Sequence, residues 1–551
     1  MPFGPHELVA RAVHPTASPL RFTRTFVLML ACTAVTFPAI AQDEELTLYK
    51  DVHIFDGLGD TLSPASNVLV RGNVIDTISL EPIEADGAEV IDGAGRTLMP
   101  GLIDAHWHTT MVGTTPEEGL NNDLGYSTII AVNEAEAALL RGFTTVRDMG
   151  GAAFSLKRAI DEGLVIGPRI YPSGAIISVT SGHGDFRSLH ELPREVGDLT
   201  RVEELGMAMI ADSPDEVRMR AREQLMLGAV HIKLTAGGGV ASPHSPLDVS
   251  TFTFEELRAA VEAAENWGTY VAVHAYTPAA MQRSIEAGVK VIEHGHLIDD
   301  ETAQMMADKG IWLSTQPFDE SFGQAVSLPE ANLERLREVI TGTDSLYGFT
   351  KKYGIKTAFG TDILFSSQMA QTQGLMLTLL QRWFTPAEIL KMATATNGEL
   401  LQLTGRRNPY PGAIGIIEKG AFADLLLVDG NPLENIDLVA DPDNFVVIMK
   451  DGHIYKNTLA TGVTHAASGA SIGVGNPYPI SNYICEDGTR LAVRLLGDSA
   501  SVSVNDAAEV HLPSMGPEGT TYSNGRMTLT IVQGRLSWGL GRAVPSACTD
   551  A

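Results

Sequence analysis

Short apolar runs alternate with amphipathic stretches along residues 99–405 of the chain. Eight runs have the length and composition of buried strands: Leu98–Asp104, Thr144–Asp148, Arg169–Ser173, His231–Leu234, Tyr270–His274, Val291–His294, Trp312–Gln316 and Thr357–Asp362. Between them lie stretches with helical spacing, among them Asn133–Arg141, Pro214–Leu227, Phe254–Trp267, Ala279–Ala287 and Leu333–Tyr353. Strand-like runs that are each followed by a helix-capable stretch predict an α/β protein with a (β/α)8 TIM barrel over 99–405.

The segments on both sides of this predicted barrel have the pattern of β-strands. Residues 46–98 contain short alternating runs separated by turn signals, and residues 406–457 return to that pattern around a hairpin turn at Asp451-Gly452. We expect the two segments to form one composite β-sandwich that flanks the barrel. Residues 459–480 are rich in Gly, Ala, Ser and Thr, which is typical of a linker. Residues 481–551 have the pattern of a separate small β-domain.

The N-terminal part of the chain has the features of an export signal. Two arginines, Arg21 and Arg24, precede an apolar run, and Ala39-Ile40-Ala41 is typical of a cleavage site. A membrane anchor is the alternative, but the apolar run of about 16 residues is shorter than the ~20 that a spanning helix needs. We therefore predict a signal peptide with an N-terminal extension over 1–41. The mature chain would then be periplasmic or secreted and would lack a transmembrane segment.

Composition and cysteine content narrow the class of protein. The chain has 39 Lys+Arg against 67 Asp+Glu, a formal net charge of −28, and so acidic a surface repels nucleic acid. Only 3 cysteines are present, which excludes a cysteine-rich zinc module. Cys32 would leave with the signal peptide. The remaining pair, Cys485 and Cys548, is most simply a disulfide in an exported chain.

Ionisable side chains recur at the ends of the predicted barrel strands, where the functional residues of such barrels gather. They are His106, His108, Lys233, His274, His294 and Asp362. Residues two apart in a strand face the same side, so His106 and His108 would both face the barrel axis. A lone His-x-His pair fits a surface or core position equally well. Four further candidates at matching strand ends favour a metal centre, because imidazole and carboxylate are common ligands of Zn²⁺ and similar ions.

These motifs resemble a known family. "MPGLIDAHWH" (99–108), "IKLTAGGG", "VAVHAY", "VIEHG" and "FGTD" resemble the binuclear metal-dependent amidohydrolase superfamily, and "GAIGIIEKGAFADLLLVDGNPL" (412–433) resembles its returning β-segment. "TTVRDMGG" (144–151), "SGHGD" (181–185) and "HAYTPAAMQRSIEAGVKVIEHG" (274–295) are most similar to the imidazolonepropionase-related branch, which includes Xaa-Pro and Xaa-Arg/Lys dipeptidases and N-acyl amino acid hydrolases. The resemblance spans 46–457.

The resemblance implies a hydrolase of C–N bonds that acts on a small-molecule amide, such as a dipeptide or an N-acyl amino acid, and the predicted signal peptide makes it an exported one. It assigns one divalent metal to His106, His108 and Asp362 and a second to His274 and His294, with carboxylated Lys233 as the bridging ligand and zinc as the default metal. A hydroxide that bridges the metals would attack the carbonyl, and Asp362 would act as general base. The alternative within the family is a cyclic amidohydrolase that opens a lactam or imidazolone ring.

Three further residues are weaker candidates. Tyr276 could donate to the developing oxyanion or could be a packing residue. His183 could bind substrate or structure its own loop. Arg147 could hold a substrate carboxylate or pair with Asp148 or another acid. The segment Gly237-Gly238-Gly239 lacks the lysine of a phosphate-binding loop, and we expect it to let the backbone pass close to a ligand.

The C-terminal segment resembles a second family. Residues 483–548, with a cysteine near each end, are similar to the small β-barrel inhibitors of c-type lysozyme. The inhibitory Ser-Gly-x-x-Tyr pattern of that family lacks its serine in 518–522, and Gln533-Gly534 replaces a Lys-Gly segment. The resemblance implies a lysozyme or envelope partner, and an alternative function is an envelope binding protein in which a catalytically inactive barrel carries this domain. For the domain itself, the alternative is a β-module that binds envelope material or serves as a spacer.

Overall fold

The computed structural model describes residues 45–192, 198–242, 244–320, 330–459, 480–495, 499–505, 510–513, 515, 521–532, 535–541 and 545–550. The predicted signal peptide and nearly all of the predicted linker lie outside these residues. Among the described residues, no helix combines the length and the apolar character that crossing a membrane requires.

The described elements follow the predicted order of strands and helices. The strands up to the end of the barrel are β1 (Leu46–Ile54), β2 (Ser66–Arg71), β3 (Val74–Ser79), β4 (Glu89–Asp92), β5 (Thr97–Pro100), β6 (Leu102–Trp107), β7 (Phe143–Asp148), β8 (Arg169–Pro172), β9 (Ile176–Ser178), β10 (Ala208–Ile210), β11 (Ile232–Thr235), β12 (Val271–Ala275), β13 (Val291–His294), β14 (Trp312–Thr315) and β15 (Thr357–Phe359). The α-helices are Pro116–Asn121, Leu124–Leu140, Phe154–Asp161, Arg201–Glu204, Pro214–Leu227, Phe254–Trp267, Pro278–Ala287, Asp300–Lys309, Glu330–Tyr353, Ser367–Ala370, Leu375–Leu379, Pro386–Lys391 and Asn397–Gln402.

The barrel is built from parallel strands, as the sequence predicts. One sheet has the order β6-β7-β8, and a second has the order β10-β9-β11-β12-β13-β14-β15. The third barrel strand consists of two pieces, because β8 pairs with β7 whereas β9 pairs with β11. The ring closes between its first and last strands, where the backbone N–H of Asp362 donates to the carbonyl oxygen of His106 at 2.8 Å. The carboxyl ends of all eight strands therefore surround one opening.

The predicted run Leu98–Asp104 is divided at Gly101. Its first part is β5, which pairs with β1 in the flanking sheet, and its second part begins the first barrel strand. A Cβ atom on residue 101 would lie 2.1 Å from Oγ1 of Thr144, so the chain can pass from sheet to barrel there only without a side chain. The apolar pattern does not show this division, since the strands on both sides of it are buried. His106 lies within β6 rather than after it.

The outer helices begin and end at recognisable signals. The helix Phe254–Trp267 starts at Thr253, whose hydroxyl accepts from the N–H of Glu256 while the Glu256 carboxylate accepts from the Thr253 N–H. Removing such a cap costs about 1 kcal/mol. The helix ends at Gly268, which has a left-handed φ of 73° that favours glycine. On its buried face, Leu257 and Val261 pack in the same apolar cluster as side chains of the barrel strands.

The two ends of the barrel segment share one β-sheet. After the barrel come β16 (Leu425–Val428), β17 (Phe445–Lys450) and β18 (His453–Asn457), and the order of the eight-stranded sheet is β18-β17-β16-β5-β1-β2-β3, with β4 beside β1. Strand β1 has a register shift between Tyr49 and Val52, pairing first with β4 and then with β5. Side chains from both ends, among them Val68, Leu98 and Leu427, form one buried cluster.

The C-terminal segment forms an antiparallel all-β domain. Its strands are β19 (Ile480–Cys485), β20 (Arg490–Leu495), β21 (Ser499–Val504), β22 (Val510–Pro513), β23 (Thr521–Ser523), β24 (Met527–Val532), β25 (Arg535–Leu540) and β26 (Ser546–Asp550), in the order β22-β21-β20-β19-β26-β25-β24-β23. The predicted disulfide is present: Cys485 on β19 is bonded to Cys548 on β26. Tyr522 is buried in this domain, while residues 518–520 and 533–534 of the lysozyme-inhibitor resemblance lie outside the described residues.

Candidate metal centre and active site

The structure brings the predicted metal ligands together at the opening of the barrel. Oδ1 of Asp362 lies 3.2 Å from Nε2 of His106 and 3.3 Å from Nε2 of His108. The rings of His106 and His294 have centroids 5.0 Å apart, and His294 lies 4.3 Å from the ring of His274. One nitrogen each of His106 and His294 and one oxygen of Asp362 lie within 4.8 Å of one another. Four imidazoles and a carboxylate thus form one contiguous cluster.

Hydrogen bonds fix which nitrogen of each imidazole points towards the cluster. Nδ1 of His106 lies 2.8 Å from Oε2 of Glu293, and Nδ1 of His108 lies 3.3 Å from the carbonyl oxygen of Gly150. In His274 the anchored nitrogen is Nε2, which lies 2.8 Å from the carbonyl oxygen of Gly238. An imidazole that donates through one nitrogen keeps its lone pair on the other, which is the arrangement that a metal ligand requires.

The backbone adopts an uncommon conformation at two of these residues. His294 has a φ of 74° and Asp362 a φ of 53°, both in the left-handed region that residues other than glycine rarely adopt. Each lies where a barrel strand passes into its loop. The turn at His294 allows Glu293 and His294 to contact the same cluster, although adjacent residues of a regular strand face opposite sides. Strain of this kind is frequent at functional sites.

Lys233 occupies the position on β11 that was predicted for the bridging ligand. Its side chain is buried, and this burial lowers the pKa of its ammonium group to about 8. The nearby carboxylates of Glu293 and Asp362 oppose the shift. The lowered pKa increases the fraction of neutral amine near neutral pH, and the neutral amine is the form that reacts with CO₂.

The electrostatics of the cluster fit a divalent metal. Burial lowers the pKa values of His108, His274 and His294, which keeps these imidazoles neutral. Although burial favours its neutral form, the pKa of Asp362 lies well below its ordinary value because His106 and His108 surround the carboxylate. Burial and Lys233 likewise oppose charge on His106, yet the neighbouring carboxylates of Asp362 and Glu293 raise its pKa. The neutral imidazoles of His108, His274 and His294 and the ionised carboxylate of Asp362 are thus in the protonation states in which such groups bind metals.

The predicted substrate-binding residues Tyr276 and His183 also lie at the cluster. The Tyr276 ring is buried, with its centroid 4.9 Å from that of His274 and 5.2 Å from that of His294. His183 is half-buried, its ring 4.1 Å from that of His274, and its Nδ1 is 2.7 Å from Oγ of Ser242. Burial lowers the pKa of His183 to about 4, so it is neutral at pH 7. Both rings therefore border the space that the predicted metal ligands surround.

Arg147 lies inside the barrel, away from the position that a substrate clamp would need. It is fully buried, and its guanidinium donates to Oε1 of Glu293 at 2.6 Å. The alternative role, pairing with an acid, is the one that its contacts fit. Glu293 itself was missed by the sequence reasoning, although an acidic residue within the apolar run Val291–His294 was a visible signal.

The glycine segment after β11 passes close to the cluster, as expected. The carbonyl oxygen of Gly238 is the partner of His274, and a Cβ atom on residue 239 would lie 1.9 Å from Nδ1 of His183. From the helix Glu330–Tyr353, Nη1 of Arg335 donates to the carbonyl oxygen of Ser242 at 2.9 Å and holds the same loop. The loop therefore positions two histidines at once.

Comparison with known proteins identifies the family. Residues 97–455 match the amidohydrolase family, which is more than half of the chain. The chain belongs to the amidohydrolase family. Its members generally use divalent metals and hydrolyse carbon–nitrogen bonds, so the chain is a hydrolase of that class.

Individual relatives differ in substrate. The chain is 31% identical over 377 residues to the ochratoxinase of Aspergillus niger, covering 65% of this chain and 75% of the relative. It is 25% identical over 417 residues to the imidazolonepropionase of Anaeromyxobacter dehalogenans, covering 71% of this chain and 91% of the relative. A prolidase solved as a complex with N-methylphosphonate-L-proline has 32% identity and a TM-score of 0.67, covering 75% of this chain and 100% of that structure.

Proposed function

We propose that this amidohydrolase cleaves the amide bond of a dipeptide or an N-acyl amino acid with the aid of two divalent metal ions. The observation that carries the proposal is the convergence of four oriented imidazoles, one carboxylate and one buried lysine at the opening of the barrel. The prolidase relative binds an N-substituted amino acid, and ochratoxinase and prolidase have higher identities to this chain than imidazolonepropionase has.

The donor set divides into two groups. We assign one metal to His106, His108 and Asp362 and the second to His274 and His294, with Lys233 between them as a carboxylated bridge and zinc as the metal. When bound, divalent cations supply Lewis acidity and lower the pKa of water towards neutrality. Each of the four assigned histidines has one nitrogen held by the surrounding protein: three as described above, and His294, whose Nδ1 lies 2.8 Å from Oε1 of Gln316.

The remaining chemistry belongs to the side chains around the cluster. Asp362 is ionised and partly exposed, so its carboxylate can take a proton from the attacking water and return it to the leaving amine. Tyr276 retains its hydroxyl proton, because burial raises its pKa, and it can donate to the oxygen that becomes negative. Neutral His183 can donate to or accept from the bound substrate, while Ser242 fixes its ring.

A library of dipeptides and N-acyl amino acids, assayed together with lactam and imidazolone substrates, tests this proposal. We expect release of free amino acids from linear amides, and no release in the presence of a metal chelator. Turnover of the cyclic substrates alone would favour the imidazolonepropionase-like alternative. The absence of any hydrolysis by the zinc-loaded protein would contradict the proposed substrate class.

We also propose that the chain is exported. The Cys485–Cys548 disulfide supports this, because such bonds persist in oxidising compartments. N-terminal sequencing of the native protein should find a start close to Gln42; an intact Met1 would contradict export.

A lysozyme or envelope partner for the C-terminal domain receives less support. Tyr522, the tyrosine of the inhibitory pattern, is buried and is not presented at the surface. Inhibition of a c-type lysozyme by the full chain would establish that partner.

A further inference from the structure

A buried arginine–glutamate pair contacts the first of the assigned metal ligands. Arg147 on β7 and Glu293 on β13 are fully buried, with Nη2 of the arginine 2.6 Å from Oε1 of the glutamate. The second carboxylate oxygen, Oε2, lies 2.8 Å from Nδ1 of His106. Arg147 is held in turn by the carbonyl oxygen of Ala105 at 2.6 Å and by the hydroxyl of Tyr270 at 3.2 Å. A continuous chain of hydrogen bonds therefore runs from β7 through β13 to His106 on β6.

Stability alone is a poor explanation for this pair. The interior of a TIM barrel is usually filled by branched apolar side chains. An ion pair placed there loses its hydration, and apolar replacements of similar volume are often equally stable or more stable. The pair contacts the proposed metal centre through the hydrogen bond between Glu293 and His106. Its position points to a role in orienting that imidazole.

We propose that Glu293, fixed by Arg147, is a positioning residue that orients His106 and selects the tautomer that binds metal. A carboxylate only accepts hydrogen bonds, so a neutral His106 beside it carries its proton on Nδ1 and presents the lone pair of Nε2. Nε2 is the nitrogen that faces Asp362, at 3.2 Å. The inference rests on the proposed metal site, because it assigns Nε2 of His106 to a metal.

The local backbone places Glu293 and His294 at the same centre. In a regular strand the two would face opposite sides, but the left-handed φ of His294 turns the chain at that point. Two consecutive residues thus serve the site differently: His294 as an assigned ligand and Glu293 as the anchor of His106 on β6. Arg147 directs the carboxylate, because its own position is set by the carbonyl oxygen of Ala105 on β6 and by the hydroxyl of Tyr270, next to β12.

The Glu293→Gln variant tests the orientation of His106 separately from packing, because it leaves the size of side chain 293 almost unchanged. The amide that it introduces has one accepting oxygen and one donating nitrogen, and Arg147 can only donate, so Arg147 takes the oxygen. The amide nitrogen then faces Nδ1 of His106 and favours the tautomer with its proton on Nε2. We expect affinity for Zn²⁺, measured by chelator competition, to fall by about 10- to 100-fold. The visible absorption of the Co²⁺-loaded protein should change as well, since the ligand set of that ion changes.

Removing the arginine should reverse this effect. In Arg147→Met/Glu293→Gln the amide oxygen is free to accept from His106, so Zn²⁺ affinity should recover most of the loss. In Arg147→Met/Glu293→Leu no acceptor faces His106, and this variant should bind Zn²⁺ about tenfold or more weakly than its glutamine counterpart. These two variants are matched in charge and similar in volume, so their comparison stands even where the single variant does not fold.

Asp424→Asn is the control for loss of a buried carboxylate. Asp424 pairs with buried Arg169 through both oxygens, but Arg169 keeps a second partner in Asp451. This variant should leave Zn²⁺ affinity unchanged, whatever its effect on the unfolding temperature of the metal-free protein.

The proposal is overturned if folded Glu293→Gln binds Zn²⁺ like wild type, or if the glutamine and leucine double variants bind Zn²⁺ equally well. Neither measurement uses substrate, so failure of the proposed hydrolysis would be seen separately.

Discussion

His106 and Asp362 contact each other twice at the place where the first and last barrel strands meet. The backbone N–H of Asp362 donates to the carbonyl oxygen of His106 at 2.8 Å, and the carboxylate lies 3.2 Å from Nε2 of the same residue. Closure of the barrel and assembly of the proposed metal centre therefore depend on the same pair of residues, which lie far apart in sequence.

Replacement of Asp362 should abolish turnover with little effect on the fold. Asp362→Asn keeps the backbone hydrogen bond but removes the charge and the proton acceptor. We expect kcat to fall on the order of 10³-fold, as for loss of a general base, together with loss of bound metal. The matched control is Asp429→Asn, a surface carboxylate paired with Arg96, which should leave both quantities unchanged. An Asp362→Asn enzyme with wild-type kcat would remove the assigned role.

Reconstitution of the metal-free protein should depend on pH through Lys233. Its pKa is lowered to about 8 by burial, so the ammonium form predominates below pH 8 and the neutral amine above it. Only the neutral amine reacts with CO₂. At a fixed concentration of dissolved CO₂, recovery of activity from apoprotein and Zn²⁺ should therefore become faster as the pH rises from 7 to 9. Equal rates at these pH values, or recovery that is independent of CO₂, would argue against carboxylation.

Gly239 should control the position of His183. A Cβ atom at residue 239 would lie 1.9 Å from Nδ1 of His183, so Gly239→Ala must displace the imidazole or the loop. Misplacement of about 1 Å can cost about 10²-fold in rate, and we expect a loss of that order in kcat/KM with unchanged metal content. Gly348→Ala is the control: it lies in the helix Glu330–Tyr353, and apart from its chain neighbours and the backbone of its own helix, no atom of the described residues lies within 4 Å of the added Cβ. Its kcat/KM should equal that of wild type.

The disulfide should stabilise the C-terminal domain without affecting hydrolysis. It joins residues separated by 63 positions, for which the loss of chain entropy corresponds to roughly 4 kcal/mol. Cys485→Ser/Cys548→Ser should lower the unfolding temperature of that domain, as should reduction of the wild-type protein. Dipeptide or acyl amino acid hydrolysis at 25 °C should remain. A parallel loss of hydrolysis would show that the barrel depends on the C-terminal domain.

The periodic features of the fold were predictable from the sequence, and the exceptions have local causes. Buried parallel strands appear as apolar runs, so a run was recognised for each of the eight barrel strands, although β9, the second piece of the third strand, lay beyond the predicted run. The division of the first run at Gly101 was not predictable, because the residues of the strands on both sides of it are all buried. Glu293 was missed because alternation assigns it to the side opposite His294. Only the positive φ of His294, a property of the folded backbone, brings both to the same centre.

The substrate candidates show a second limit of sequence reasoning. Arg147 has a charge suited to a substrate carboxylate, but its contacts are with Ala105 on β6, with Tyr270 just before β12 and with Glu293 on β13. The sequence gives the residue type and the strand, whereas the partner is set by tertiary contacts. His183 and Tyr276, in contrast, follow strands, and they lie beside His274 and His294, two of the proposed metal ligands.

Metal stoichiometry, measured on the purified protein together with hydrolysis of the amide library, tests the central claim most directly. We expect two tightly bound or rebindable divalent ions per chain. Hydrolytic activity should be lost when these ions are removed and should return when they are added back. A correctly folded protein that neither retains nor rebinds a divalent cation would contradict the assignment of His106, His108, Lys233, His274, His294 and Asp362 as a binuclear centre.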